Sequence, residues 1–555
     1  MRTLSALLLS LTVTLALGAL TRAAEAADAD AATEGLPATS ASTGTSTPTP
    51  APTLAPTLTP TPAPIAAGFR VSHFIVEGDN PLSDADTTTV LSTHLGMQAG
   101  LNDLVAAARD LEEVLRADGH LFHHVYLPPQ TISNETVLLR VQQLQISAVT
   151  VTGNLFYSTA NVLHAVPQLQ PGTPPEIGPL KRALSLANDN PARHITLNLK
   201  EGRDPGSVEA ELNVRDRKPW SVFANLSNVG SDSSGRTRLA IGAQHANLLG
   251  YDDALTLTYT TSPEAWRRVQ QYGVNYRVPL YLTGGVLAFV YARSDIDSGT
   301  IQDVFNVSGA GEFAGISYTQ QLPQDGGLRQ QLTLALDDRA FTNDVSFLGN
   351  PIGTDVRSRP ATLRYNAEYR GTALHAGFGI SYVHNLTGGS HNTPDVYQQV
   401  RSGAARDWDL WRYNAYLNIA LPAAMQLRLQ LEGQYAHDPL IPGEQFGLGG
   451  STSVRGLEER ALTGDSGQRA SLEIAAPPIT EGLDLYAFFD AGRIKRENAQ
   501  AGEVQQDIVS SAGVGARWQW RDNLALSLEY GSAVQDASLA DAGQNKLHLN
   551  LFVRY

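Results

Sequence analysis

The sequence predicts a mainly β protein: a transmembrane antiparallel β-barrel of about 16 strands, preceded by two small α+β domains. Three observations lead there. From Trp220 to Tyr555 the chain falls into segments that alternate apolar and polar residues, the period-2 pattern of a strand with one face in lipid and one in a polar lumen. Between residues 69 and 217 the order strand, two helices, two strands is read twice. The first 26 residues carry Arg2, an apolar run from Leu4 to Leu20 and the small residues around Ala24-Glu25-Ala26, which is the layout of a secretory signal peptide.

The bulk composition narrows the class. The net charge is -15 and Lys and Arg are not clustered, which excludes a nucleic-acid partner, since phosphate contacts need a basic patch. There are no cysteines, so disulfides, thiolate metal sites and cysteine catalysis are excluded. Beyond the signal peptide no segment has the roughly 18 consecutive apolar residues of a spanning helix. Lipid offers unpaired backbone only one other solution, the closed barrel.

Along the chain, residues 27–36 form a short acidic segment and residues 37–68 a linker, where eight prolines between Pro37 and Pro64 favour extended polyproline II over a packed core. The first α+β unit covers 69–143: strand Phe69 to Glu77, helices Asp84 to His94 and Leu101 to Asp118, strands His120 to Leu127 and Thr136 to Gln142. Its second helix is defined by Leu101, Leu104, Val105, Ala108, Leu111 and Leu115 on one face, with Gly119 as the stop. A second unit, 144–217, repeats the order. The barrel then occupies 218–555. Its last segment puts Leu547, Leu549, Leu551, Val553 and Tyr555 on one face and His548, Asn550 and Arg554 on the other.

One loop stands out. In the strand Leu483 to Arg493, Leu483, Leu485, Ala487 and Phe489 share the lipid parity, which leaves Phe488, Asp490 and Gly492 toward the lumen. Strand Gln468 to Ile474 likewise turns Glu473 inward. The connection 439–467 is too long for a tight hairpin and rich in glycine, so it is able to fold back on itself. Folded into the barrel it would bring Arg455 of Ser453-Val454-Arg455-Gly456-Leu457 against Asp490 in a bidentate pair; left outside, Arg455 would be solvated. His120, His123 and His124 lack a carboxylate at ligand spacing, and no metal, cofactor or catalytic motif is read.

Several of these motifs resemble a known family. Phe74-Ile75-Val76-Glu77-Gly78 and the run ending Pro128-Pro129-Gln130 look like the POTRA domain of two-partner secretion transporters (TpsB), the haemolysin and filamentous-haemagglutinin secretion and activation proteins; Val149 to Asn154 resembles a second POTRA. Ser453 to Leu457 looks like the family's inward loop, Gly464-Asp465-Ser466-Gly467 like the stretch behind it, and Phe488-Phe489-Asp490-Ala491-Gly492 like the strand that receives its arginine. Leu457 stands where the family usually has Tyr or Phe. The resemblance implies an outer-membrane translocator that exports a large β-rich partner exoprotein, adhesin or haemolysin in type, after periplasmic capture. It also implies a plug helix at 27–36 and, through the terminal Tyr555, delivery by the barrel-assembly machinery into outer-membrane lipid. The alternative is a POTRA-barrel insertase that assembles other outer-membrane proteins.

Overall fold

The computed structural model describes residues 69–555 except 97, 133, 205, 233, 295–298, 302–304, 308–309, 325, 343–345, 348–349, 352–353, 536 and 539–541. The expected signal peptide, the plug helix expected at 27–36 and the expected linker therefore lie outside the described residues.

The first unit contains β1 (His73–Gly78), α1 (Asp84–Ser92), α2 (Leu101–Ala117), β2 (His123–Tyr126) and β3 (Thr136–Gln143). Ser83 caps α1, its hydroxyl accepting from the Asp86 N–H at 3.2 Å. In α2 the residues at helical spacing, Leu104, Ala108, Leu111 and Leu115, are buried; the last three pack on Val125, Leu139 and Val141 of the sheet and Leu104 on Val71, Ala99 and Val137. The strand order is β1-β3-β2, parallel then antiparallel. The strand expected from His120 to Leu127 is shorter than that: His120 takes the main-chain O of Leu115 in the turn closing α2, so only His123 and His124 of the three histidines are on a strand.

The second unit follows with β4 (Gln145–Thr152), α3 (Thr159–His164), α4 (Ile177–Ala187), β5 (Arg193–Glu201) and β6 (Ser207–Asp216), in the order β4-β6-β5. Its core of Ile146, Val162, Leu186, Ile195 and Leu212 runs on without a break into Ala246, Tyr281 and Val286 of the barrel. At this junction Arg193, fully buried, pairs with Asp252 at 2.8 Å. Asp252 also accepts from the Tyr281 hydroxyl at 2.6 Å, and Asn161 donates to the Gly250 carbonyl at 2.7 Å. A second pair, Arg329 with Asp189 at 2.6 Å, holds the other side of the joint.

Sixteen antiparallel strands close the barrel: β7 (Trp220–Ser227), β8 (Arg238–His245), β9 (Ala254–Thr261), β10 (Gln270–Leu280), β11 (Gly285–Ser294), β12 (Ala310–Gln321), β13 (Leu328–Thr342), β14 (Pro360–Arg370), β15 (Leu374–Asn385), β16 (Asp409–Ala420), β17 (Gln426–Ala436), β18 (Ser466–Ala475), β19 (Leu483–Lys495), β20 (Gln506–Trp520), β21 (Leu524–Ala533) and β22 (Asn545–Arg554). A short piece, Val356–Ser358, extends β14 along β13. Closure pairs β22 with β7 from Asn550↔Ser227 to Arg554↔Phe223, so no sheet edge is left open to lipid. Alternation decides the two faces. Ile241, Leu334, Leu336 and Val514 are exposed on the outside, and their neighbours in sequence turn into the lumen. Rings meet across strands on the outer face, Tyr259 with Tyr272 and Tyr382 with Trp411. Tyr555 continues the ladder, exchanging main-chain bonds with Val222 while its exposed ring lies against Trp220. Among the described residues no helix is long and apolar enough to cross a membrane.

Candidate functional site: the loop inside the barrel

The segment 437–465 joins β17 to β18 at the end of the barrel away from the second unit, then enters the lumen. Phe446–Leu448 pairs with Leu462–Gly464 as a small hairpin, and the tip runs from Gly449 to Ala461. What pins the tip is first an apolar contact: Leu448, Val454, Leu457 and Leu462 have no exposed surface and pack on Ile494, Val509 and Ala533 of the wall. Leu457 is thus a core residue of the docked tip, and an aliphatic side chain fills that place. Two glycines allow the approach. A Cβ on Gly492 would stand 2.7 Å from the Leu448 side chain, and one on Gly456, whose φ is +93°, would stand 2.7 Å from the Gly531 main chain.

Arg455 is held at this tip, 4% exposed, with each of its five N–H donors engaged. Nε and Nη2 donate to the two oxygens of Asp490 at 2.8 and 2.7 Å, in a fork-to-fork pair. Nη1 donates to Glu473 at 2.7 Å and to Glu529 at 3.1 Å. The second Nη2 hydrogen goes to the Ser471 hydroxyl at 3.0 Å, which in turn donates to Asp490 at 2.7 Å. The guanidinium lies 3.6 Å over the Phe488 ring, adding a cation–π contact on its flat face. Asp490 is wholly buried and also accepts from the Arg455 main-chain N–H at 3.1 Å.

Arg517 is the second cation of this box. It donates to both Glu473 oxygens at 2.8 and 2.9 Å and to Glu529 at 3.2 Å, above the Tyr486 ring. Tyr486 donates its hydroxyl to Glu529. His548 of β22 accepts from the Gly456 N–H through Nε2 at 3.1 Å, which assigns its proton to Nδ1. Three carboxylates and two guanidinium groups leave the box one negative charge in excess, and the neutral pair of Arg428 with Asp484, 2.8 Å apart, touches Glu473 at 3.8 Å.

Two more ion-pair clusters secure the loop above its tip. On the descending limb Glu444, 1% exposed, accepts from Arg339 at 2.8 Å, Arg412 at 3.4 Å and the Ser358 hydroxyl at 2.7 Å. At the base Asp465, fully buried, binds Arg401 and takes the main-chain N–H groups of Leu440 at 2.8 Å and Glu497 at 2.7 Å. The charge order is therefore reversed along the loop, anion in an arginine setting at the limb and cation in a carboxylate setting at the tip.

Of the residues singled out in the sequence, Arg455, Asp490, Glu473 and Phe488 meet at one point, while Val454, Leu457, Gly456 and Gly492 shape the packing around them. Ser453 stays within the loop, its hydroxyl accepting from Gly449 at 3.3 Å, and Tyr555 lies at the opposite end of the barrel. The alternation of Leu524–Ala533 and Gln506–Trp520 carried a signal for Glu529, the one charge of its strand, and for Arg517, which shares the lumenal parity of its strand with Asp507. Nothing local pointed to Glu444, because a loop has no parity to read, and Asp465 was marked only by the resemblance of Gly464-Asp465-Ser466-Gly467 to the family's stretch behind the inward loop, without a partner.

Comparison with known proteins places this geometry. The family model for "Haemolysin secretion/activation protein ShlB/FhaC/HecB" matches residues 206–518, and the "POTRA domain, ShlB-type" matches residues 69–143. The heme/hemopexin transporter protein HuxB of Haemophilus influenzae (strain 86-028NP) is 21% identical, covering 83% of this chain and 82% of that protein. The outer membrane transporter CdiB of Dickeya dadantii (strain 3937) is 20% identical over 79% of this chain and 78% of its own length. Among solved structures, CdiB from Escherichia coli superposes with a TM-score of 0.71 at 15% identity, covering 90% of this chain and 93% of that one. The family match spans more than half of the chain, so the chain belongs to the haemolysin secretion/activation protein family, ShlB/FhaC/HecB: two-partner secretion translocators of a partner exoprotein, with the barrel in the bacterial outer membrane and POTRA domains in the periplasm.

Proposed function

We propose that this protein exports one large β-rich exoprotein, adhesin or haemolysin in type, capturing it in the periplasm and conducting it through the barrel past the loop that carries Arg455. The observation that carries the reading is the buried, fully engaged Arg455 on a loop inside a closed barrel. A gated conduit needs an element with a defined resting position, and the loop has one, fixed at three heights. Capture uses the two POTRA sheets. Each has three strands and so two edges, β1 and β2 in the first, β4 and β5 in the second, and an unfolded client adds to such an edge through backbone bonds. The drive is folding of the client outside, which withdraws extended chain from the lumen.

The test combines two measurements. Arg455→Ala and Asp490→Ala are each assayed for secretion and for channel conductance; if neither changes, the pairing has no functional weight. Depletion of the protein is expected to strand a single secreted client, and a fall in many outer-membrane proteins at once would assign it to barrel assembly instead.

A further inference from the structure

The lumen is divided lengthwise into two unlike walls. From β13 to β21 the inward positions are crowded with charge, including Arg339, Arg364, Arg412, Glu432, Arg469 and Asp484. From β7 to β12 the inward positions hold Ser, Thr, Asn, Gln, Gly, Ala, Val, Pro and Phe, with Arg554 of the adjoining β22 donating to Ser221 at 3.0 Å and Gln244 at 3.1 Å. Among the described residues, charge on that face is confined to its ends, Arg238 at the outer rim and Arg277 at the periplasmic rim. The docked loop sits on the charged wall. Between its tip, at Ser451 and Thr452, and the uncharged wall lies a cavity of about 890 Å³, lined on that wall by Asn225, Gln244, Thr256, Thr258, Thr260 and Asn275 and on the loop and the opposite side by Glu459, Arg517, Glu529, His548 and Arg554.

We infer that this cavity is the client's path: the extended polypeptide runs along the uncharged wall of β7–β10, with the loop still seated on the opposite wall. The inference rests on the export reading and assigns it a route. An unfolded chain in transit presents unpaired backbone N–H and C=O groups, which need partners at every step. Hydroxyl and amide side chains offer both donors and acceptors, and neutral bonds of this kind exchange with water at little net cost, about 1 kcal/mol each. Charged side chains would instead hold a passing group through bonds roughly twice as strong. On the charged wall those groups are largely committed to one another, as in the Arg455 and Glu444 clusters. The substrate class that fits the path is an extended, β-forming chain of low charge, rich in Thr, Ser, Asn and Val.

The chain has no native cysteine, so single cysteines report on each wall separately. Full-length Thr258→Cys and Asn414→Cys proteins, the second on the charged wall, are placed in planar bilayers. Both are checked first for unchanged heat-modifiable migration. The probe is an uncharged synthetic peptide of about 30 residues built from Thr, Ser, Asn, Gly and Val, long enough at about 3.3 Å per residue to cross the barrel, added on the POTRA side. The peptide is expected to reduce the current and to slow modification of the cysteine at 258 by a water-soluble thiol reagent about tenfold, as occupancy protects in proportion to ligand over Kd. Modification at 414 is expected to stay the same. Equal protection at both positions, or protection at 414 alone, overturns the route while leaving export standing. A peptide that neither blocks current nor protects either cysteine overturns both.

Discussion

Replacing Arg455 by alanine removes five N–H donors from a place where Asp490 has no contact with solvent. The three carboxylates do not suffer equally. Glu473 keeps both Arg517 bonds, and Glu529 keeps Arg517 and Tyr486. Asp490 is left with the Ser471 hydroxyl and one main-chain N–H, neither of which carries charge. Breaking one side of a buried ion pair costs about 3–5 kcal/mol, which at about 1.4 kcal/mol per decade shifts the docked-to-undocked ratio by about two to four decades. Amide exchange across 449–461 is expected to accelerate accordingly, with more frequent channel opening in planar bilayers. Arg455→Lys, with three donors on a point charge in place of a planar fork, is expected to fall between. Asp490→Asn added to Arg455→Ala should recover part of the docking, because the orphaned charge is gone. Unchanged exchange in Arg455→Ala, or losses that simply add in the double variant, would refute the reasoning.

Gly456→Ala and Gly531→Ala introduce a Cβ into the same narrow contact from opposite sides, 2.7 Å from the Gly531 main chain and 2.8 Å from that of Arg455; the former also pays about 1–2 kcal/mol for its left-handed backbone. Both are expected to loosen the tip by amide exchange while leaving the heat-modifiable migration of the barrel intact. Glu444→Gln gives up charge-assisted bonds worth about 1.5–3 kcal/mol, and exchange should rise at 442–448 before it rises at the tip. Arg193→Ala strands buried Asp252 at the barrel joint, at about 3–5 kcal/mol, and is expected to free the second POTRA domain, seen as new protease cleavage between residues 217 and 220. Burial pushes the Tyr157 phenol up to about 12, and burial followed by the Asp252 charge raises Tyr281 further. An acid whose folded value is raised stabilises fully below its unfolded value, near 10, and loses that contribution as pH climbs through the folded one. The joint should therefore hold below pH 10 and weaken toward pH 12, with Tyr157→Phe flattening that dependence in a protease assay.

What could be read from the chain follows from where periodicity exists. Strands in lipid obey strict parity, so Leu485 and Ala487 facing out fix Phe488 and Asp490 facing in without any knowledge of the fold. The same rule reaches Glu473. It fails at 437–465, where glycine-rich backbone carries no period, and so the limb contact of Glu444 with Arg339 and the base contact of Asp465 with Arg401 were not legible. Both are formed between residues far apart in sequence, 105 and 64 positions. The joint at Arg193 and Asp252 was equally silent, since an arginine at the start of a strand reads as a solvated end until the barrel turns are placed on it.

The carboxylate box also behaves as a spring. With Arg455 seated, three negative groups face two positive ones; with the loop withdrawn, Arg517 stays on Glu473 and Glu529, Arg428 stays at the edge of Glu473, and the vacancy gains one more negative charge. An empty receptacle of that sign pulls back the cation that left it, so the wall itself supplies the force that reseats the tip after each spontaneous undocking. Re-docking after such an excursion should accordingly be slowed by salt, which shortens the reach of that attraction from about 30 Å at 0.01 M to about 8 Å at physiological ionic strength.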